Sequence, residues 1–410
     1  MTDTVVISPL SVRARNLAPS PTMAMDARAK ALKAEGRDLV NLTAGEPDFP
    51  TVRAAATAAV EAIHQGFTRY TEAAGIRPLR EAIAAKLARD NGLRYRPEEI
   101  AVTPGAKYAL YAAMQVLCDP GDEVLVPAPY WVSYPEQAKL AGAVSVVVPT
   151  TEADGFVVRA AEIEARLTSR SRLLVLNSPS NPTGAVIPAD ELVRIGELVA
   201  RHPRLWVLSD EIYERLAYDG LRPQSFAALA PELWARTVTI NGFSKAYAMT
   251  GWRVGYTAAP EVVARPLAHF LSQTTSNATS IAQAAALAAL GGAEPEVAAM
   301  VAEFSRRRDY VLERLRSLPG VRCTTPGGAF YVFPDMRAVL TRGTASEGAG
   351  VADTESLALR LLEEVGLATV PGEGFGMAGF IRLSYAASME TLEEGCDRLA
   401  RFLERLRRAG

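Results

Sequence analysis

Leu205-Trp-Val-Leu-Ser-Asp210 followed by Glu211-Ile-Tyr213, and Thr237-Val-Thr-Ile240 followed by Asn241-Gly-Phe-Ser-Lys245, carry one pattern twice: a short apolar run ending in a polar cluster. Leu173-Leu-Val-Leu176, which runs into Asn177-Ser-Pro-Ser-Asn-Pro-Thr-Gly184, carries it again. Short apolar runs bounded by turn residues read as buried strands. Between the first two such strands Pro188 opens a helical pattern with Leu192, Ile195 and Val199 on one face. Strands separated by helices at this spacing predict βαβ units and a mostly parallel sheet. Ligands of such sheets sit beyond the carboxyl ends of the strands. The three polar clusters are therefore expected on one edge, with Asn181, Asp210 and Lys245 converging on a common ligand.

The same alternation extends from about residue 98 to about residue 260. Ile100–Thr103 reads as a strand that passes through Pro104-Gly105 into a helical pattern ending near Leu117. Glu123–Val126 and Ser145–Val148 read as further strands. The C-terminal part differs: Phe304–Leu318 and Leu392–Leu406 have helical periodicity, and Phe330–Phe333 and Ile381–Ser384 read as strands. Gly343–Asp353, rich in Gly and Ala, is expected as a mobile loop. The chain is thus an α/β protein with a large domain over residues 51–290. A smaller α+β domain is expected from residues 291–410 joined by the N-terminal segment 1–50.

Composition narrows the function classes. Of 410 residues 49% are hydrophobic and the formal net charge is -2, which supports a large core and gives no long-range pull on nucleic acid or an anionic membrane. The one dense basic run, Arg306-Arg307-Arg308, lies among Phe304, Val311 and Leu315 and reads as the wet side of an amphipathic helix. Cys118, Cys323 and Cys396 are scattered and odd in number, against a disulfide framework or a zinc cluster and for a reducing compartment. His64, His202 and His269 are far apart in sequence, so no metal site is expected. No secretory leader and no run of the ~20 apolar residues that span a bilayer is seen, and a cytoplasmic setting is expected.

Six lysines occur, and past Lys139 the only one is Lys245. A guanidinium stays protonated and forms no imine with an aldehyde, whereas a primary amine does, so Lys245 reads as a nucleophile at a strand end. Asp210 ends an apolar strand, where a carboxylate needs a cation or several donors. Tyr213 lies three residues on, and Asn181 sits at another strand end with an amide able to donate. Gly105-Ala106-Lys107 joins a strand to a helix, where free N–H groups and the absence of bulk suit a phosphate. Arg253 follows Lys245 closely enough to add a second cation there. Arg382, inside Phe380-Ile-Arg-Leu-Ser384, offers a planar fork to a carboxylate. Trp131 presents a flat face for a ring. Singly, these features have ordinary readings as a surface lysine, a helix cap, a turn, an internal salt bridge or packing. Jointly they meet the needs of pyridoxal phosphate: an amine for its aldehyde, an anion for its pyridine nitrogen, donors for its 3-oxygen and a phosphate cup.

The motifs extend this further. Ala44-Gly-Glu-Pro-Asp-Phe49, Tyr70-Thr71 with Gly75 and Leu79-Arg80, Pro129-Tyr-Trp-Val-Ser-Tyr-Pro135, Asn177–Gly184, Ser209–Tyr213 and Ser244-Lys-Ala-Tyr-Ala-Met-Thr-Gly-Trp-Arg-Val-Gly-Tyr256 resemble the class I aminotransferases of pyridoxal-phosphate fold type I. The bacterial aspartate/prephenate branch is the most similar, over nearly the whole chain. The resemblance implies a seven-stranded, mostly parallel sheet flanked by helices, and a homodimer with active sites at its interface. It implies that Lys245 joins the cofactor's aldehyde, that Asp210 meets the pyridine nitrogen, and that Asn181 and Tyr213 contact the 3-oxygen. Gly105, Ala106, Lys107, Ser244 and Arg253 would bind the phosphate side, with Tyr70 reaching the neighbouring subunit's cofactor. Gly45, Trp131, Asn181 and Arg382 would surround the substrate, Arg382 on its α-carboxylate. The implied reaction moves an amino group between an L-amino acid and a 2-oxo acid, aspartate or glutamate with 2-oxoglutarate or oxaloacetate. Aromatic donors, a lyase or synthase of the same fold, and a non-catalytic sensor stay open as alternatives. The chain departs from the pattern of that family near Ala18, where related enzymes acting on aspartate or prephenate often carry a basic residue, and in Ser272–Ile281, which lacks the arginine that another aspartate-specific branch uses for the distal carboxylate.

Overall fold

The computed structural model describes residues 9–340 and 351–409. Gly343–Asp353, expected as a loop, falls largely outside them. Twelve strands occur among the described residues: β1 (Val40–Asn41), β2 (Ile100–Thr103), β3 (Glu123–Ala128), β4 (Val144–Pro149), β5 (Ser171–Asn177), β6 (Trp206–Asp210), β7 (Thr237–Gly242), β8 (Gly255–Ala258), β9 (Tyr331–Val332), β10 (Leu367–Ala368), β11 (Val370–Pro371) and β12 (Ile381–Ser384). Seven of them form one sheet in the order β2-β8-β7-β6-β5-β3-β4. All run parallel except β8, which is antiparallel to β2 and β7. Every strand of the expected sheet is present, and β8 is an addition. Its Gly-Tyr-Thr-Ala sequence has no apolar run, and it becomes a strand because it completes the pairing of β7 with β2.

Helices cover both faces, as parallel sheets require. Leu125, Leu174, Leu176 and Val207 meet Leu192 and Ile195 of the helix Ala189–Arg201. On the other face Val124, Val126, Val175 and Ile240 meet Ala109 and Leu110 of the helix Ala106–Leu117. Full burial of each such Val, Leu or Ile contributes ~1.5–3 kcal/mol, enough to keep the pairing register from slipping. That register sets Leu176 beside Ser209, Asn177 beside Asp210 and Asp210 beside Ile240. The polar ends of β5, β6 and β7 therefore stand level at one edge.

Two smaller sheets lie over that edge. β1 pairs parallel with β10, which ties the N-terminal segment to the C-terminal part. β11, β12 and β9 form an antiparallel sheet with Arg382 in its central strand. Behind it Phe330, Ile381 and Leu383 pack with Phe304 and Leu315 of the helix Glu294–Arg316 and Phe402 of the helix Met389–Ala409. The former helix starts well before the expected Phe304, because Pro295 in its first turn and the acidic Glu294 and Glu296 beside it favour an N-terminus there. No single helix among the described residues is long and apolar enough to cross a membrane.

The arginine run on this helix departs from expectation. Arg306 is exposed, but Arg307 and Arg308 are buried. Arg307 binds Asp48 and Glu303 and lies over Phe49, while Arg308 binds Asp219 and the Pro326 carbonyl and lies over Tyr218. Consecutive residues on a helix point about 100° apart, so three arginines in a row cannot share one wet face, and long arginine stems pack well against rings. Replacing Arg308 by Ala is expected to lower the unfolding free energy by about 2 kcal/mol in urea titrations, against under about 0.5 kcal/mol for Arg306→Ala.

Candidate active site

A cavity of about 380 Å³ opens at the level edge of β5, β6 and β7, beneath the small sheet. Lys245 enters it from the turn that follows β7. Its Nζ donates to the carbonyl of Gly45 and lies 5.7 Å from the Tyr213 ring centroid and 5.6 Å from that of Phe330. Burial, and next the charge of Arg382, bring the amine down to about 8. A group that titrates there is available both as a neutral nucleophile and as a proton carrier.

Asp210, at the end of β6, is buried and accepts from Tyr134 Oη at 2.7 Å and from the Ile212 amide at 3.3 Å. Burial pushes its carboxyl up to about 6 in spite of both donors. It forms no salt bridge among the described residues, and a cation placed against it would recover its charged form. Asn177 locks the neighbourhood, donating to the Asp210 carbonyl at 3.0 Å and accepting the Asn181 amide at 2.9 Å.

Arg382 is buried too, and it answers the possibility of an internal salt bridge. Its Nη1 donates to Asn181 Oδ1 at 3.0 Å and its Nη2 to the Thr43 carbonyl at 2.7 Å. The guanidinium lies between the rings of Tyr331 and Phe375, at 4.5 and 5.1 Å. No carboxylate pairs with it among the described residues, and its Nε has no partner. Neutral acceptors and ring faces orient the fork without neutralising it, so the site is built for an incoming anion. With its Oδ1 engaged by Arg382, Asn181 has its amide nitrogen left to offer to an oxygen in the cavity.

A second cationic corner lies at the start of the helix Ala106–Leu117. Gly105 caps it with φ +86°, and a Cβ there would stand 2.5 Å from Arg253 Nη2. Only glycine suits both the backbone and the close approach. The Ala106 and Lys107 amides have no acceptor in the chain among the described residues, as expected at a helix start. Arg253 has a left-handed backbone, φ +54°, and its side chain is oriented by a bond from Nη1 to the Thr250 carbonyl at 2.8 Å. Lys107 leans over Trp131, its Nζ 5.0 Å from the ring centroid, and burial together with Arg253 lowers its basicity. Trp131 and Ser244 line the cavity alongside. Tyr70 does not join them: it is 90% exposed and outside the cavity of its own chain.

Sequence reasoning missed several contributors. Tyr134, the donor to Asp210, sits within the Pro129–Pro135 motif in the first turn of the helix Ser133–Leu140, and its ring meets that of Trp131, just before the helix, edge to face at 5.4 Å. Tyr331 is concealed in the apolar run Phe330–Phe333. Thr43, Asn41 and Asp26 form a chain, with Thr43 Oγ1 donating to Asn41 at 2.7 Å and Asn41 to Asp26 at 2.8 Å. Nothing in the local pattern of these residues points to Arg382, which the chain reaches through Thr43.

Comparisons with known proteins give the family. A family model described as aminotransferase class I and II matches residues 37–399. The aspartate aminotransferase of Geobacillus stearothermophilus is 46% identical over 96% of this chain and 99% of its own length. The aspartate/prephenate aminotransferase of Cereibacter sphaeroides is 45% identical over 94% of this chain and 96% of its own. The structure of aspartate aminotransferase from Thermus thermophilus with maleate superposes with a TM-score of 0.90 at 43% identity, covering 96% of this chain and all of that one. The chain belongs to the class I and II aminotransferases, pyridoxal-phosphate-dependent transferases that exchange an amino group between amino acids and 2-oxo acids. The cavity fits that cofactor: a buried acid without a salt bridge among the described residues, a buried amine, and a glycine-cleared helix start beside an arginine.

Directly behind Asp210, Glu211 points away from the cavity into a buried network of Ser209, Ser225, Asn91, Glu214 and Lys86. Burial and the charge of Glu214 push it up to about 7. A carboxyl whose folded value exceeds its unfolded one stabilises the fold fully below the unfolded value, and that contribution is lost as pH rises through the folded one. Urea unfolding at pH 5 and pH 8 is therefore expected to show Glu211→Gln gaining stability relative to wild type at the higher pH.

Proposed function

We propose that this aminotransferase works on dicarboxylic substrates, aspartate or glutamate as donor with 2-oxoglutarate or oxaloacetate as acceptor. The observation that carries the reading is a buried guanidinium, Arg382, without a counter-ion among the described residues, in the same cavity as a buried amine. A substrate α-carboxylate supplies the missing anion. Lys107 adds a second cation lining that cavity with no acidic partner among the described residues, which suits either the cofactor phosphate or a distal carboxylate. Relatives named for aspartate, and a maleate-bound structure among them, support the dicarboxylate class.

When bound, pyridoxal phosphate supplies the aldehyde that takes the substrate amine and the ring that withdraws electrons from the α-carbon. Asp210 would hold a proton on the pyridine nitrogen. Tyr213 and Asn181 would donate to the 3-oxygen, and Gly105, Ala106, Ser244 and Arg253, with Lys107 beside them, would hold the phosphate. Trp131 would offer its face to the ring, and Gly45 positions the Lys245 amine through its carbonyl. The Lys245 Nζ accepts the proton of the substrate α-carbon, which its value near 8 allows at neutral pH. Arg382 fixes the carboxylate so that this proton faces the amine.

The residue assignments imply an assembly. Tyr70, an aromatic 90% exposed in one chain, is buried against a second copy in a homodimer and reaches that copy's phosphate cup. The cofactor is carried by a large domain of residues 51–290, and Arg382 by a smaller one of residues 1–50 and 291–410. Three free thiols, all buried, accord with a cytoplasmic setting.

Purified protein assayed against a panel of amino donors with 2-oxoglutarate and pyruvate tests the substrate class, and preference for an aromatic or aliphatic donor would refute it. Lys245→Ala is expected to abolish both turnover and the visible absorbance of bound cofactor. Loss of Arg382 in Arg382→Ala is expected to lower kcat/KM by roughly 30-fold to several thousand-fold, since truncating one side of a buried charged contact costs ~2–5 kcal/mol. Lys107→Met is expected to raise KM for aspartate by more than for phenylalanine if the distal carboxylate meets Lys107.

A further inference from the structure

Tyr331 is fully buried in the floor of the cavity and touches two of the residues assigned above. Its Oη is 2.9 Å from that of Tyr213. Its ring centroid is 4.5 Å from the guanidinium carbon of Arg382. A Cβ on Gly45 would stand 3.2 Å from the same Oη, so the phenol points at the loop whose carbonyl accepts from Lys245. Among the described residues the Tyr331 hydroxyl has no partner other than Tyr213. Were Tyr213 the donor, the Tyr331 proton would be left without an acceptor, and an unmatched buried donor is costly. The opposite order uses both protons: Tyr331 donates to Tyr213, and the proton of Tyr213 is left for the cavity.

We propose that Tyr331 is a positioning residue that relays the arrival of a substrate carboxylate at Arg382 to the Tyr213 phenol facing the cofactor's 3-oxygen. This rests on the reading that Arg382, Tyr213 and Lys245 face substrate and cofactor. A cation against a phenol ring makes its hydroxyl a stronger donor, and each donor in a hydrogen-bonded chain strengthens the next. The Arg382 charge acts on Tyr331 in that direction, against the burial that raises the phenol. A carboxylate on the guanidinium offsets the charge. Tyr331 then donates less strongly, Tyr213 stabilises the 3-oxygen's negative charge less, and the nitrogen joined to Lys245 holds its proton to higher pH. The other charged groups facing that nitrogen are Glu46, Arg253 and Asp210, with Arg382 itself, and Tyr331→Phe alters none of them.

The test is a pH titration of the visible absorbance of the holoenzyme in wild type, Tyr331→Phe, Tyr213→Phe and the double variant, each with and without succinate as an unreactive carboxylate. Tyr331→Phe is expected to raise the apparent pKa by about half a unit to one unit, the worth of one hydrogen bond. It is expected to narrow the upward shift that succinate causes, and to add nothing once Tyr213→Phe is present. An unmoved titration in Tyr331→Phe overturns the proposal, as does an equal effect with and without Tyr213, which is what general loosening of the core would give. A wild-type protein without titrating visible absorbance overturns the underlying reading, and the proposal with it, so the two failures are distinguishable.

Discussion

Three ionisable side chains, Asp210, Lys245 and Arg382, are buried around one cavity, and no two of them form an ion pair. Removing a charge from water costs several kcal/mol even after the protein relaxes. Such an arrangement persists only when the surrounding structure supplies enough favourable burial and enough oriented dipoles to outweigh it. The two-faced core of the seven-stranded sheet supplies the burial. The dipoles come from Tyr134 and the Ile212 amide for Asp210, the Gly45 carbonyl for Lys245, and Asn181 with the Thr43 carbonyl for Arg382. Each partner is neutral, so each charge is oriented without being cancelled.

That distinction separates this site from the ordinary ion pairs of the molecule. Arg307 and Arg308 are buried too, though less deeply than Arg382; both are matched by carboxylates, and they serve packing between the long helix and its neighbours. Arg382 has two ring faces and two carbonyl-type oxygens instead. A guanidinium so held gives up little motion on meeting a carboxylate, which is how a preorganised site turns charge into binding and orientation. A second cationic corner is built the same way: Gly105 clears room, and the Arg253 guanidinium is oriented by the Thr250 carbonyl. The left-handed backbone of Arg253 is strain of a kind that clusters at functional sites.

Much of this was readable in the linear order of residues. β2 and β12 coincide with the apolar runs that announced them, β5 and β7 extend theirs by two or three residues, and β6 starts one residue into its run and continues to Asp210. Asn181, Asp210 and Lys245 meet because strand-end residues of a parallel sheet must share an edge. β8 escaped notice because Gly255-Tyr-Thr-Ala258 has no strand signature and owes its state to its two neighbours. Arg307 and Arg308 were misplaced because a charge run resembles a solvated face unless the stems and their distant partners are in view. Tyr134 and Tyr331 were passed over for the converse reason: a tyrosine in an apolar stretch looks like core, and only its hydroxyl partner distinguishes it.

The sequence by itself determined the class of fold, the polar residue types at three strand ends and the single lysine among them, because hydrophobic periodicity and residue type are local properties. The tertiary structure alone decided which distant groups meet those residues: the Gly45 carbonyl at Lys245, Thr43 and Tyr331 at Arg382, and Tyr134 at Asp210. These contacts join residues far apart in the chain. Their existence depends on sheet register and on how the small sheet lies over the large one, and a pattern of neighbours along the backbone contains neither.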